Sequence, residues 1–363
     1  MANKRLDLFN NFYKDKNVLI TGHCGFKGSW LALWLKELGA NVIGYGLAPH
    51  TENDNFKVIK LKDKITDIRE DIRDLTRLKD VFSTYKPEII FHLAAQPLVK
   101  LSYENPKETY EANVLGTLNV LEAIRESTTI KVAVIITTDK CYENKEQIWP
   151  YREEDSLGGY DPYSASKACC ELIISSYRRS FFNEETYKFH KKAIASVRAG
   201  NVIGGGDWSK NRIIPDCIRA LRNNESIVIR NPEAIRPWQH VLEPLSGYLE
   251  LAKKMYCGGA SYCGAWNFGP DFESILKVSS LANLIINAWG KGSWEIEFSK
   301  NPHHEASLLS LDCTKAKLLL GWRPKLKIEE AIDYTVEWYK SFENRDMYKF
   351  DVEQIYNYCS LRM

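Results

Sequence analysis

Residues 17–28 read NVLITGHCGFKG. An apolar run of strand type ends at Thr21. Three glycines follow, Gly22, Gly25 and Gly28, spaced GxxGxxG and leading into the helical pattern SWLALWLKELG. Glycine permits a tight turn and lets backbone approach a pyrophosphate, whose charge is favoured by the amides that open the next helix. A strand, a glycine loop and a helix in the first βα unit is the setting in which such a triplet signals dinucleotide binding rather than an ordinary turn.

Working outward, NVIGYG (41–46), EIIFHLAA (88–95), KVAVIITT (131–138) and AIASVRAGNVIG from Ala193 read as further strands, separated by amphipathic stretches such as NVLGTLNVLEAIRE. Near-continuous apolar strands joined by helices specify a parallel sheet covered on both faces, a doubly wound α/β (Rossmann) domain. Such sheets bind ligands at the carboxyl ends of their strands, so the loops after these runs are where chemistry is expected. Beyond about Gly204 the texture is less regular. Residues 1–200 are expected to form the dinucleotide-binding domain, with segments returning from the second half, and 201–363 a smaller, mixed α/β substrate-binding portion. No linker of low complexity separates them.

The 363 residues carry 49 lysines and arginines against 47 acids, which leaves no broad electrostatic footprint for nucleic acid or an anionic membrane. The start, MANKRLDLFNNFYKDK, lacks the apolar core of a signal peptide, and no apolar run approaches the ~18 residues of a membrane span. The nine cysteines are scattered. Reduced thiols and a cytoplasmic location are expected. No metal is expected either, since Cys257, Cys263, His303 and His304 have no recognisable ligand spacing.

The acid that usually binds an adenosine ribose belongs near the end of the second strand. That stretch reads GYGLAP, with no acid and no arginine to clamp a 2′-phosphate, which weakly favours NAD over NADP. Asp71 and Ile72 lie where a later loop could meet adenine, or Asp71 could cap a helix.

YSASK places Tyr163 and Lys167 one helical turn apart on one face. An ammonium near a phenol favours phenolate, which could take a proton from a sugar hydroxyl. Thr138, Asp139 and Lys140 stand together where the 131–138 strand ends. They form either a catalytic group facing the cleft or a capped, solvated turn.

TGHCGFKG, HLAAQ (92–96), TTDK and YSASK, in this order, resemble the extended short-chain dehydrogenase/reductases. TGHCGFKGSWL, HLAAQPLV, TDKCYENKE, GGYDPYSASK, RAGNVIGGGDW and RPWQHVLEPLSGYL together look like that family's cytidine-linked branch, the CDP-glucose 4,6-dehydratases of dideoxyhexose biosynthesis. The resemblance implies NAD held by Gly22, Gly25, Phe26, Gly28, Asp71, Ile72, Leu93, Ala94, Ala95, Tyr163 and Lys167. It implies Tyr163 as the oxidation base, with Thr138 holding the carbon-four oxygen and Lys167 lowering the Tyr163 pKa. Lys140 would be the base at carbon five and Asp139 the acid at carbon six; thymidine-linked relatives have glutamate where Lys140 stands. CDP-glucose would meet Gln96, Asn201, Arg212 and Arg236, and the glycines of NVIGGGDW could approach its phosphates. A same-fold epimerase or reductase would need Tyr163 and Lys167 but not the acid and base, and a noncatalytic dinucleotide sensor could dispense with either of the first pair. Related enzymes pair through the helices of residues 104–126 and 164–182, so a homodimer or homotetramer is expected.

Overall fold

The structure, a computed structural model, describes residues 9–297 and 308–361. His303 and His304 lie outside the described residues, as do residues 1–8.

Seven parallel strands form the central sheet: β1 (Asn17–Thr21), β2 (Asn41–Gly46), β3 (Thr66–Arg69), β4 (Ile89–His92), β5 (Val132–Ile136), β6 (Ala193–Arg198) and β7 (Gly264–Asn267). Their spatial order is β7-β6-β5-β4-β1-β2-β3. Side chains alternate across a strand, and the core divides accordingly. Val18, Ile20, Ile89, Phe91, Val132 and Val134 enter one cluster, while Leu19, Ile90, Ala133 and Ile135 enter the other.

Helices cover both faces. On one side lies α1 (Phe26–Glu37), where Trp30 through Leu35 are all buried. It is apolar all round because the sheet lies beneath it and a C-terminal helix, Met347–Ser360, lies outside it, with the Trp34 and Tyr358 rings 5.9 Å apart. The opposite face carries α2 (Leu75–Tyr85), α3 (Gly116–Glu126) and α4 (Pro162–Ser180).

The strand order reverses between β1 and β4, each paired to the other by Thr21 opposite His92. Loops leaving neighbouring strands at such a reversal diverge and open a crevice. Here those loops are the glycine loop and residues 93–96.

The sequence reading misses β3 and β7. Both are short, lie at the sheet edges and contain no continuous apolar run. The second half of the chain also contributes α5 (Leu242–Gly258), which receives a hydrogen bond from Tyr13 to the Leu249 carbonyl at 2.6 Å. This half also forms three small sheets, pairing Val202–Ile203 with Gln239–His240, Ile235–Pro237 with Ile275–Lys277, and Ile227–Ile229 with Trp294–Ile296. Among the described residues no helix is long and apolar enough to cross a membrane. All nine cysteines are free thiols.

Candidate active site

The glycine loop is shaped by contacts that only glycine tolerates. Gly22 has φ +73°, and a Cβ there would stand 2.6 Å from the Ala94 nitrogen in the loop after β4. At Gly28 a Cβ would meet the Gly22 carbonyl oxygen at 2.1 Å. Gly25, by contrast, has only that carbonyl within reach, at 3.4 Å, and its exposed face opens the N-terminus of α1, which has no side-chain cap. Uncapped first-turn amides beside a glycine surface fit a dinucleotide pyrophosphate. Leu93 and Ala94 close the adjoining wall, their amides bonded to the Thr21 carbonyl at 3.0 Å and hydroxyl at 3.2 Å, with Ala95 next in the same loop.

At the end of β5, Asp139–Cys141 forms one 3-10 turn capped by Thr138, whose Oγ1 accepts from the Lys140 amide at 3.3 Å. The capping role is thus what the backbone geometry of this turn gives. Thr138 Oγ1 donates to Asp139 Oδ1 at 3.0 Å, and the same hydroxyl is hydrogen-bonded to the phenol of Tyr163. Asp139 is 2% exposed, and its Oδ2 has no hydrogen-bond partner. It lies so close to Gly200 that a Cβ there would stand 1.8 Å from Oδ2. Lys140 is half-buried on the same turn.

Tyr163 and Lys167 occupy α4, which starts at Pro162 and is capped by Asp161 accepting from the Ser164 amide at 3.0 Å. Lys167 lies one turn from Tyr163 and is itself buried. Burial raises the phenol well above its usual range, opposed by the Thr138 hydrogen bond and the charge of Arg212. The Lys167 ammonium instead donates to the Ile136 carbonyl at 3.3 Å, with its pKa lowered by burial.

Behind this group lies a buried polar network that the sequence reading missed. Glu171, one turn beyond Lys167, pairs with Arg198 of β6 at 2.8 Å, both side chains 3% exposed. Thr137 and Ser196 also donate to Glu171, at 2.5 and 2.7 Å. Arg198 donates to the Tyr142 hydroxyl at 2.7 Å, and that hydroxyl to Asn267 Oδ1 at 2.8 Å. Burial raises the Glu171 pKa, but Arg198 and the hydroxyl donors outweigh it and hold the carboxylate ionised. Residues on both sides of the Thr138–Lys140 turn are thus tied to α4 and β6.

The profile of the GDP-mannose 4,6 dehydratase family matches residues 19–335. The chain belongs to that family. A CDP-glucose 4,6-dehydratase of Salmonella typhimurium is 49% identical over 352 residues, 96% of this chain and 98% of its own. Among solved structures, a UDP-glucose 4-epimerase of Thermotoga maritima with UDP-glucose is 25% identical, with TM-score 0.75 over 90% of this chain and all of its own. A dTDP-glucose 4,6-dehydratase of Bacillus anthracis in complex with NAD, 22% identical, shares the fold with TM-score 0.74 over 93% of this chain and 99% of its own.

Several expected residues of this GDP-mannose 4,6 dehydratase family member stand elsewhere than their motifs suggest. Gly204, Gly205 and Gly206 are buried by packing. Added Cβ atoms would meet Val241 and Phe26, the Trp338 ring and Asn55, so these glycines serve close contacts between segments and present no face to phosphate. Phe26 therefore ties the glycine loop to the second half of the chain. Gln96 turns its amide into its own loop, donating to Thr109 at 2.9 Å and accepting from the Leu98 amide at 2.6 Å. Asp71 does not cap a helix: Asp74 caps α2, and Asp71 is bonded by Arg73, while Ile72 packs against Gly116.

Arg212 lies near enough to Tyr163 to oppose its raised pKa, and is held by Asp207 at 2.8 Å. Asn201 takes a left-handed conformation, φ 44°, and its carbonyl accepts from the Gln239 amide at 3.3 Å, close in sequence to the buried Arg236. Lys27 of the glycine loop was not singled out from the sequence. It lies in the field of Arg212, Lys167 and Asp139, with its pKa lowered to about 8, first by burial and then by Arg212. Among the described residues, His23, Cys24 and Asp67 are grouped closely enough to hold a metal, but the Arg69 guanidinium already donates to both Cys24 and Asp67.

Proposed function

We propose that this chain is an NAD-dependent CDP-glucose 4,6-dehydratase, converting CDP-glucose to CDP-4-dehydro-6-deoxyglucose and water. The observation that carries this reading is Asp139, a buried carboxylate with one oxygen bonded by Thr138 and the other without a partner, on the same turn as Lys140 and beside Tyr163. An epimerase or reductase has no use for that second acid and base. The similarity to the Salmonella enzyme supports the choice of cytidine substrate.

Gly22, Gly25, Phe26 and Gly28, the Leu93–Ala95 loop, Asp71 and Ile72 would hold the NAD, and Tyr163 and Lys167 its nicotinamide ribose. Bound NAD would accept the carbon-four hydrogen as hydride and later return it to carbon six. Tyr163 takes the carbon-four hydroxyl proton while Thr138 holds the oxygen. The ketone so formed acidifies carbon five, from which Lys140 removes a proton. Asp139 protonates the carbon-six hydroxyl, which leaves as water as the carbon five–six double bond forms. Lys140 then returns a proton to carbon five, and the proton taken by Tyr163 balances the one given up by Asp139. Arg212, Arg236, Asn201 and Gln96 complete the sugar-nucleotide site, Arg212 by charge-assisted contact with phosphate.

In this reading residues 1–200 mainly bind NAD and 201–363 mainly bind the sugar nucleotide. A homodimer through the expected helices is supported by exposed Leu115 and Leu172, 50% and 59% accessible. The nine free thiols support a cytoplasmic location.

The test is the mass of the product formed from CDP-glucose with NAD, run beside dTDP- and UDP-glucose. The expected product is lighter by one water, formed fastest from CDP-glucose. A product of unchanged mass, or preference for another base, overturns the assignment.

A further inference from the structure

The end of β2 has no acid to receive ribose hydroxyls, and the structure brings a different group to that place. Gly46, the last residue of β2, is in register with Arg69, the last of β3. The Arg69 side chain reaches across the sheet edge, its Nη1 donating to the Leu47 carbonyl at 2.9 Å and to the Cys24 thiol in the glycine loop. Its guanidinium lies over the Phe56 ring, 4.7 Å from the centroid. It therefore spans the glycine loop and the β2 terminus, where the adenosine side of a dinucleotide lies in a sheet of this topology.

The support beneath Arg69 is built and buried. A Cβ at Gly44 would stand 2.2 Å from the His23 ring, so glycine there admits the imidazole over β2. His23 Nε2 donates to Asp67 Oδ1 at 2.6 Å, and Asp67 Oδ2 accepts from Arg69 Nε at 3.1 Å. Both Asp67 oxygens are thereby committed and the side chain is 6% exposed, so this acid cannot substitute for the missing one. Arg69 is 32% exposed, and its Nη2, 2.9 Å from Asp67 Oδ2, keeps an N–H directed away from the pair.

We propose that Arg69 reads the adenosine ribose of the bound dinucleotide, donating to the 2′ oxygen, so that the site accepts a 2′-phosphate as well as a 2′-hydroxyl. This rests on the dinucleotide reading of the glycine loop. The chemistry differs from that of an acidic ribose ligand. A carboxylate only accepts, so it rewards two hydroxyls and repels a phosphate; a guanidinium only donates, and it favours the phosphate. Pairing with Asp67 moderates that preference without reversing it.

The test is titration calorimetry of the apo protein with NAD and with NADP. Wild type is expected to bind the two within about tenfold of each other. Arg69→Ala is expected to weaken NADP by about tenfold or more, the worth of a charge-assisted hydrogen bond, and NAD by about threefold or less. Leu47→Asp restores an acid at an exposed position at the end of β2, and is expected to shift the preference toward NAD by about a hundredfold through repulsion of the phosphate. NAD binding with NADP excluded in wild type, or a preference unmoved by both substitutions, overturns the role of Arg69 alone. Binding of neither dinucleotide overturns the reading of the glycine loop and this inference with it.

Discussion

The carboxyl edge of the sheet is built in two ways on either side of β1. Toward β4, β5 and β6, the polar groups behind Thr138, Asp139 and Tyr163 are buried and joined through Glu171 and Arg198. Toward β2 and β3, one partly exposed guanidinium bridges the glycine loop and the strand ends. The difference matches the role proposed for each end. Proton transfer requires groups fixed within a fraction of an ångström, and a buried network tied by several hydrogen bonds supplies that rigidity. Recognition of a ribose tolerates adjustment.

The sharpest way to break the comparison is at the reactive end. Tyr163→Phe removes the proposed base and its hydroxyl contact to the nicotinamide ribose without changing the packing, and turnover is expected to fall about 10²–10⁴-fold while NAD affinity falls by about tenfold or less. Steady-state rates with calorimetry of the same variant check both halves of that statement.

The supporting ion pair should show the asymmetry in stability. Glu171→Ala leaves Arg198 charged and buried, and is expected to cost about 3–5 kcal/mol by urea denaturation. Arg69→Ala, on the partly exposed side, is expected to cost under about 1 kcal/mol. Equal losses from the two substitutions would erase the distinction between the ends.

Gly200→Ala probes position rather than charge. Its methyl would press on Asp139 Oδ2, so elimination should slow about tenfold or more while oxidation at carbon four survives, consistent with the sensitivity of catalysis to small misplacements. Accumulation of reduced cofactor during turnover is the readout. Parallel loss of both steps would place Asp139 outside the elimination.

A further difference concerns pH. His92 lies at the end of β4, its Nδ1 2.6 Å from the Thr21 hydroxyl and its Nε2 3.1 Å from that of Thr117, with its pKa lowered to about 3 by burial. The unfolded chain binds a proton there below ~6.5 and the folded chain does not. The stability from neutral His92 is therefore present above ~6.5 and lost as pH falls toward about 3. His92→Asn should be less stable than wild type at neutral pH, and the gap should close by ~1.4 kcal/mol for each pH unit below ~6.5. A gap independent of pH would mean that His92 titrates normally in the folded state.

Local pattern made the buried strands and the first glycine loop legible, because alternate residues feed two cores and the φ of Gly22 is a local requirement. The GGG stretch shows where local pattern stops. Its glycines answer to Trp338, Asn55, Phe26 and Val241, partners as far as 178 residues away in sequence. Arg69 was passed over because β3 is a four-residue, partly buried edge strand, so the sheet neighbour of Gly46 was unknown. Glu171 carried a usable signal, continuing the spacing of Tyr163 and Lys167 by another turn, but its partner Arg198 becomes apparent only when α4 packs on β6.

The central claim is that Lys140 and Asp139 carry out an elimination, and solvent labelling tests it most directly. CDP-glucose turned over with NAD in deuterated water should yield a product lighter by one water before labelling is counted, carrying one solvent deuterium at carbon five, with Lys140→Ala abolishing that incorporation. A dehydrated product without deuterium at carbon five, or unchanged incorporation in Lys140→Ala, would contradict it.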